Sequence, residues 1–446
     1  MKTLIKNAWI VTMDDDWNDY PEGFLLIEDT VIQDLGPMAK YDDTYPDAFE
    51  ESIKVVDAAG GLLIPGMINT HCHMGMIPFR GLGDDMKDRL FRLLLPLERS
   101  LTKELCCASS KMAIAEMLQS GITTVFDMYF YENDVAEVAN EMGIRAFLGQ
   151  TVQSSTSCEN LNEINYGMKL LPEFIEKWRN HELVKPAIGP HATYSVDLPV
   201  LQEIAQIAKD NDILYGIHMS EMDQEMAEFR EKYQSTPVQY LADQGVLNDH
   251  MVAVHCIHTN EENIKVLDQY GVSVAHCVVA NTKSAKGVAP IQKMLDAGVT
   301  VGLGTDGPSS GNILDMFNQM RTMAYAQKTA NKNRSAFPAK DIFYLATRGG
   351  AKALHIENKV GQLSIGYEAD IVLLETKSFN MFPVYDPYST IVYQGKSENV
   401  QDVWVNGAHL VDNGQLTRVH QEEMKREISV VMDEFVATAK EMLEEV

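Results

Sequence analysis

The sequence contains no apolar run long enough to cross a bilayer, which argues against a transmembrane helix. Its N-terminal stretch, MKTLIKNAWIVTMDDDW, turns acidic too early for a signal peptide that ends in a small-residue cleavage site. The six cysteines include no CxxC pair, so free thiols are expected rather than a disulfide framework. We therefore expect a protein of the reducing cytoplasm that does not bind a membrane.

Basic residues are scarce relative to acidic ones. The chain carries 37 Lys and Arg against 64 Asp and Glu, which gives a formal charge of −27. Surfaces that bind nucleic acids or anionic membranes need clustered positive charge, so neither partner is expected. The same balance disfavours polyanionic substrates unless a local basic pocket reverses the field.

The middle of the chain alternates strand-like and helix-like segments, a pattern typical of a parallel sheet covered by helices. The eight strand candidates are LLIPGMINTH, ITTVFDMY, RAFLGQTV, KPAIGPHAT, DILYGIHMSE, MVAVHCIH, VSVAHCVV and VTVGLGTDG. Eight such units over roughly 300 residues predict an α/β fold, a (β/α)8 TIM barrel. A doubly wound sheet is the alternative, but no GxGxxG follows a strand to support a dinucleotide site.

Both ends of the chain instead show short strands separated by Asp and Gly turns. We expect the two ends to build one small β-sandwich domain with antiparallel pairing. The predicted organisation is an N-terminal β-sandwich segment at residues 1–60, the (β/α)8 barrel at 61–358, and a C-terminal β-sandwich segment with a final helix at 359–446. An apolar stripe from Met424 to Phe435 places that helix at roughly residues 420–445.

Histidines and carboxylates concentrate at the C-terminal ends of the strand candidates, where barrel enzymes keep their chemistry. His71 and His73 lie two residues apart on the first candidate, so their side chains face the same side. The other polar residues at strand ends are His191, His218, Glu221, His255, His258, His276 and Asp306. Each alone is compatible with a core or capped position, but together they indicate a site.

Three neutral imidazoles and one carboxylate form a good cage for Zn²⁺ or Fe²⁺, with one position left for water. The predicted ligands are His71, His73, His218 and Asp306. No lysine follows the fourth strand to bridge two metals after carboxylation, so we expect one divalent metal per chain. Zinc is the first choice and Fe²⁺ the alternative. His276 is left with two interpretations, one in which it orients a site residue and one that is purely structural.

Several longer motifs extend this pattern along the chain. They are PGMINTHCHM followed by FRGLGDD, then GPHATYS, IHMSE, VHCIHT, GVAPIQKMLDAGVTVGLGTDG, TRGGAKAL and GQLSIGYEADIVLLE. From about residue 5 to residue 410, their order and spacing resemble the amidohydrolase superfamily. The closer likeness is to its branch of 5-methylthioadenosine/S-adenosylhomocysteine deaminases and triazine chlorohydrolases. In that family the first, fifth and eighth strands bind one metal, at the positions of the four ligands predicted above.

The resemblance implies that metal-activated water removes an amino group from a heterocyclic ring. Glu221 would move the water proton to the adjacent ring nitrogen, His255 would stabilise the attacking oxygen, and Asp306 would relay a proton to the departing ammonia. The implied substrate contacts are His191 on the base, Glu98 on the ribose hydroxyls, and also Arg89 and Ser310.

Two departures from the family pattern bear on the substrate. Close relatives usually carry an aromatic residue in place of Arg89, and Asn-Pro in place of Cys277 and Val278. No arginine that could bind an amino-acid carboxylate is evident, because Gln150 and the SSTSCEN stretch occupy the expected region. Arg89 is the residue that could take over that role.

The expected substrate is therefore a small heterocyclic amine with a short apolar substituent. Met74, Met76 and Phe79 are expected to contact that substituent. A homo-oligomer is compatible with the sequence, which carries no information on the number of subunits.

Three functions remain open from the sequence. The first is a hydrolytic deaminase of an adenine nucleoside of the 5'-methylthioadenosine, S-adenosylhomocysteine or adenosine type. The second is an aminohydrolase or chlorohydrolase of another N-heterocycle, such as guanine, a pterin or a triazine. The third is a catalytically silent barrel, which the intact ligand set and Glu221 disfavour. The other zinc deaminase class is excluded because the chain has no PCxxC motif.

Overall fold

The computed structural model describes residues 2–45 and 53–444. Among these residues the chain forms two large sheets and two compact units. The first unit combines Met1–Asn69, Glu116–Thr124 and Asp315–Arg418, and the second combines Thr70–Ala115, Val125–Leu314 and Val419–Val446. No helix in the described part of the chain has the length and apolarity needed to cross a membrane.

The strands are β1 Lys2–Val11, β2 Asp19–Glu28, β3 Val31–Pro37, β4 Lys54–Asp57, β5 Leu62–Pro65, β6 Met67–Cys72, β7 Ile122–Tyr129, β8 Arg145–Val152, β9 Thr156–Ser157, β10 Asn160–Ile164, β11 Val184–Pro190, β12 Tyr215–Met219, β13 Met251–His255, β14 Ser273–His276, β15 Val301–Leu303, β16 Ile371–Leu374, β17 Val400–Val405, β18 Ala408–Asp412 and β19 Gln415–Leu416.

The helices are α1 Met38–Thr44, α2 Leu95–Glu98, α3 Lys103–Gln119, α4 Glu132–Met142, α5 Tyr166–Trp178, α6 Leu198–Asn211, α7 Asp223–Tyr233, α8 Pro237–Asp243, α9 Glu261–Gln269, α10 Val278–Lys283, α11 Ile291–Ala297, α12 Met316–Ala330, α13 Ala339–Ala346, α14 Arg348–Ala353, α15 Pro387–Ser389, α16 Gln421–Val431 and α17 Asp433–Glu444. Short helical turns of other types are Met74–Phe79, Leu90–Leu94, Phe379–Met381, Thr390–Gln394 and Ser397–Asn399.

Strands from both chain ends form one sheet of nine strands, as predicted for the small β domain. Their order is β19-β18-β17-β16-β5-β1-β2-β3, with β4 also paired to β1. The expectation of purely antiparallel pairing is wrong, because β1 runs parallel to both β4 and β5. The chain crosses through α1 between β3 and β4, and such a crossover lets a strand return in the same direction.

This nine-stranded sheet is buried on both faces. One face presents Ile5, Leu25, Ile27, Leu63, Ile371 and Trp404, and the other presents Leu4, Phe24 and Leu26 against Tyr41 of α1. Neighbours along β1 and β2 therefore point into opposite clusters, as the two-residue period of a strand requires.

The other large sheet contains eight parallel strands in the order β6-β7-β8-β11-β12-β13-β14-β15 and forms the nearly closed (β/α)8 barrel that the sequence predicted. Residues near its two edge strands are joined directly, since Thr70 Oγ1 donates to the Leu303 carbonyl at 2.9 Å and the Asp306 N–H to the His71 carbonyl at 3.1 Å. Strands β6, β7 and β8 are buried along their whole length. Continuous burial of this kind is expected where helices cover the outside of a parallel sheet.

The structure differs from the prediction at the first strand candidate, which splits at Gly66 into β5 of the nine-stranded sheet and β6 of the barrel. Gly66 fits there because it lacks a side chain. A Cβ at this position would lie 2.1 Å from Thr123 Oγ1. The hairpin of β9 and β10 was not predicted either.

The predicted C-terminal helix is also divided. It appears as α16 and α17 with a break at Met432, after which Asp433 and Glu434 begin the new helix. Acidic residues favour a helix N-terminus. The last residue of the predicted helix, 445, lies outside the described residues of the chain. The domain boundaries at residues 60 and 358 stay a prediction.

We predict that Gly66→Ala destabilises the protein by about 1–3 kcal/mol, the usual cost of forcing extra volume into a packed interior. The added methyl group would collide with Thr123. Thermal unfolding of the purified variant measures the effect. The double variant with Thr123→Ala should lose less stability than the sum of the losses in the two single variants, since the collision is partly removed. An unchanged melting temperature for Gly66→Ala would contradict this account of the strand break.

Candidate active site

The ends of three barrel strands bring together the four side chains predicted as metal ligands. His71 lies on β6 with His73 just beyond it, His218 lies on β12, and Asp306 follows β15. The two Nε2 atoms of His71 and His218 are 3.2 Å apart. Asp306 Oδ1 lies 3.4 Å from His73 Nε2 and 3.9 Å from His71 Nε2.

Backbone carbonyls orient two of these imidazoles. The Nδ1–H of His73 donates to the Met128 carbonyl at 2.6 Å, and that of His218 donates to the His191 carbonyl at 2.5 Å. A ring that donates from Nδ1 keeps its Nε2 lone pair available for a metal. Both lone pairs then point into the same space.

Burial keeps His71 and His218 neutral. It holds the pKa of His71 and of His218 well below the usual range, and the neighbouring imidazoles lower both pKa values further. Neutral imidazole is the form that binds a metal. The Nε2 atoms of His71 and His218 lie 3.2 Å apart, and together with His73 and Asp306 they form a donor set that fits a divalent metal.

Left-handed backbone conformations occur at the strand ends that carry the site. The φ value is 52° at Ser220, 71° at His255, 47° at Cys256 and 58° at Asp306. Such values are uncommon for residues other than glycine, and they recur at functional sites because the surrounding fold imposes them. At Asp306, the Gly307 N–H donates to Oδ1 at 2.6 Å and fixes the carboxylate.

Glu221 lies next to the ligand cluster. Its Oε1 atom is 3.4 Å from His255 Nε2 and in direct contact with the ammonium group of Lys286. Burial would raise the pKa of Glu221, but His255 and Lys286 outweigh that effect and hold the pKa well below its usual range. His255 is oriented in turn by Asn281, whose Oδ1 accepts from Nδ1 at 2.8 Å.

A cavity of about 590 Å³ opens over these groups. Its lining includes every residue predicted to catalyse the reaction or to bind polar groups of the substrate, namely Glu98, His191, Arg89, Ser310, Glu221, His255 and Asp306. Glu98 accepts a hydrogen bond from the Tyr129 hydroxyl at 3.1 Å, and burial raises its pKa to about 7. The volume is in the range of pockets that enclose a small organic ligand.

Arg89 lies in the cavity wall with its guanidinium group already engaged. Its N–H groups donate to three backbone carbonyls, those of Leu82 at 2.7 Å, Ser309 at 2.7 Å and Phe79 at 3.3 Å. Nη2 is also 3.3 Å from Asp84 Oδ1. The guanidinium therefore joins two rim segments of the barrel.

The apolar wall of the cavity differs in part from the prediction. Met76 lines it, together with Leu90, Phe91, Leu94, Leu95, Met128, Phe130 and Met222. Met74 and Phe79 are fully buried outside the lining, and the Phe79 ring packs on Phe435 with centroids 4.8 Å apart. These two side chains point away because the chain leaves β6 as the helical turn Met74–Phe79 and not as an extended strand.

His276 is fully buried at the end of β14 and does not line the cavity. Burial, and to a lesser degree His255, lowers its pKa to about 3. A neutral ring close to His255 is compatible with both interpretations of this residue.

Sequence reasoning missed Lys286, Asn281 and Tyr129 at the site. Lys286 and Asn281 follow the seventh strand, so their position at a C-terminal barrel end was an available signal. The histidines and carboxylates at these ends carried the prediction instead. Tyr129 is the last residue of β7, where it continues an apolar strand pattern.

The amidohydrolase family model matches residues 62–410, most of the chain. The chain belongs to the amidohydrolase family. This confirms the resemblance seen in the motifs, and the barrel with a small β domain is consistent with the family.

Two curated relatives of this amidohydrolase chain match it over nearly its full length. The 5-methylthioadenosine/S-adenosylhomocysteine deaminase of Carboxydothermus hydrogenoformans is 36% identical, over 95% of this chain and 96% of the relative. The 5'-deoxyadenosine deaminase of Methanosarcina barkeri is 33% identical, over 97% and 98%.

Among solved structures, an adenosine deaminase from Xanthomonas campestris with bound zinc is similar at a TM-score of 0.93. It is 28% identical, and the match covers 98% of each chain.

Proposed function

We propose that this protein is a metal-dependent hydrolase that deaminates an adenine nucleoside and releases ammonia. The observation that carries the proposal is one cavity in which the donor set of His71, His73, His218 and Asp306 adjoins Glu221 and His255. The names of relatives that match nearly the whole chain support the same reaction class.

A divalent metal bound by the four ligands would lower the pKa of a water molecule and so supply a nucleophile at neutral pH. We propose one such metal per chain, with zinc as the first choice, because imidazole and carboxylate ligands suit it. The zinc in the Xanthomonas campestris structure supports that choice.

Glu221 performs the first proton transfer in this proposal. It takes the proton of the attacking water and gives it to the ring nitrogen next to the reacting carbon, so negative charge does not build up on the heterocycle. Its position beside the cavity and its low pKa support a base that is ionised before the reaction. His255, held by Asn281, stabilises the attacking oxygen.

Asp306 performs the second proton transfer. Its carboxylate accepts the hydroxyl proton of the water-derived oxygen and passes it to the amino group, which leaves as ammonia when the C–N bond breaks. The Gly307 N–H holds one carboxylate oxygen and thereby fixes the direction of that transfer.

The remaining cavity residues are assigned to substrate binding. Glu98 binds ribose hydroxyls and His191 binds the base, while Met76 and the other apolar side chains contact the 5' group. Ser310 contributes a polar contact from the rim. Arg89 forms a section of the wall, and its carbonyl contacts leave it poorly placed to bind an amino-acid carboxylate. No partner other than this small molecule is proposed.

The proposed reaction is tested by incubating the purified protein with adenosines, guanine, pterins and triazines and measuring ammonia. Ammonia from the adenosines is the expected result. If only another heterocycle is turned over, the proposed hydrolytic chemistry stands and the proposed substrate is wrong.

We predict about one divalent metal per purified chain, as expected for a single set of four ligands. His71→Ala and Asp306→Ala should each lose it, because three remaining donors bind more weakly. Elemental analysis measures the content. Two metals per native chain would rule out the single-metal site.

We predict that Glu221→Gln lowers turnover by about 100-fold or more, the loss expected for a general acid/base. The amide is similar in size, so the metal content should stay unchanged. Glu261→Gln is the matched control, since Glu261 is on the surface in an ion pair with Lys293. Near-normal turnover of a metal-loaded Glu221→Gln enzyme would show that another residue moves the proton.

We predict that 5'-methylthioadenosine is deaminated at least as efficiently as S-adenosylhomocysteine. A carboxylate on the substrate gains little from an arginine that already donates to three carbonyls and lies against Asp84, and it costs free energy to bury without a partner. The measurement is kcat/KM for both nucleosides with wild type and Arg89→Met. A strong preference for S-adenosylhomocysteine that disappears in Arg89→Met would reverse this assignment and make Arg89 the carboxylate ligand.

A further inference from the structure

Lys286 is the cation in closest contact with Glu221. It lies in the turn after α10, between Ala285 and Gly287, whose φ values of 54° and 127° fold the chain back toward the cavity. From this turn the side chain reaches the cavity, and Nζ contacts Glu221 Oε1.

A second group lies near that oxygen, since His255 Nε2 is 3.4 Å from Oε1. Asn281 links the two groups. Its backbone carbonyl accepts a hydrogen bond from the backbone N–H of Lys286 at 3.0 Å. Its side-chain Oδ1 accepts from His255 Nδ1 at 2.8 Å. One buried residue therefore sets the positions of both groups that hold Glu221.

The backbone of Glu221 is fixed as well. Its N–H donates to Glu225 Oε2 at 2.8 Å, and the N–H of Ser220 donates to the other oxygen of Glu225 at 2.9 Å. The backbone is held and Oε1 is in contact with Lys286. Oε2 is therefore the carboxylate oxygen that is available to exchange a proton with the substrate. Among the described residues, Lys286 and His255 both approach this carboxylate at Oε1.

We propose that Lys286 is a positioning residue that holds Glu221 by Oε1 and presents Oε2 for the proton transfers of deamination. A hydrogen bond between an ammonium group and a carboxylate is among the stronger ones in proteins, so it can define the orientation of the acid. The ammonium group also favours the ionised carboxylate, which makes the protonated acid a better donor to the ring nitrogen. This inference rests on the proposed role of Glu221.

The kinetic test replaces Lys286 with Met, Ala and Arg. We expect Lys286→Met to lower kcat by at least about 10-fold while KM stays within about twofold, because orientation of the acid acts on the chemical step. Metal content should not change. Lys286→Arg should retain more activity than Lys286→Met, and added alkylammonium ions should restore a fraction of the activity of Lys286→Ala.

Lys293→Met is the matched control, since it removes an ammonium group from the exposed Lys293–Glu261 pair, where the N–O distance is 2.8 Å. Surface pairs of this kind contribute little, so kcat should be unchanged. If Lys286→Met raises KM and leaves kcat intact, Lys286 binds substrate and the proposal is overturned. An unchanged kcat and KM would overturn it too.

A second readout needs no substrate. Competitive acetylation followed by mass spectrometry measures the reactivity of individual lysines, with Lys293 as the internal reference. Lys286 should react about tenfold faster in Glu221→Gln than in wild type, because its charge-assisted contact with the carboxylate is lost. Equal rates in the two proteins would show that Lys286 does not hold Glu221. The acetylation rates can be measured even if the wild type deaminates no adenosine. Failure of the proposed substrate and failure of the Lys286 contact are therefore distinguishable.

Discussion

The site depends on the convergence of buried nitrogen and carboxylate donors that the barrel brings together. Three imidazoles and a carboxylate are buried at one point, with the Nε2 atoms of His71 and His218 3.2 Å apart. Burial disfavours protonated imidazole, so His71 and His218 offer neutral nitrogens, the form that binds a metal. This donor set fits a bound cation, and the carbonyls that accept from His73 and His218 direct the Nε2 atoms of both rings toward the same space.

The features of the site that the sequence predicted are those set by regular strand geometry. His71 and His73 face one side because strand side chains repeat every two residues, and His218 and Asp306 follow from the rule that parallel barrels collect chemistry at one end. Family motifs added the roles of Glu221 and His255, and the family itself is confirmed. The roles of individual residues are still proposals.

What the sequence could not predict depends on irregular backbone and on contacts between distant segments. Lys286 reaches Glu221 only because the residues on either side of it have positive φ values, which no periodic pattern indicates. The break between β5 and β6 lies inside an apolar run, where Pro65 and Gly66 were the local signals. Met74 and Phe79 were assigned to the wrong surface for a similar reason, since the strand ends in a helical turn directly after the second ligand.

The contacts of Arg89 have a consequence for how this barrel can change over evolutionary time. The guanidinium binds the main chain at Leu82, Ser309 and Phe79, and every residue type supplies the same carbonyl oxygen. The shape of the rim is thus largely independent of side-chain identity at positions such as Leu82. New side chains can be sampled there while the rim segments stay joined, which gives the cavity a way to acquire new ligand preferences without first losing its architecture.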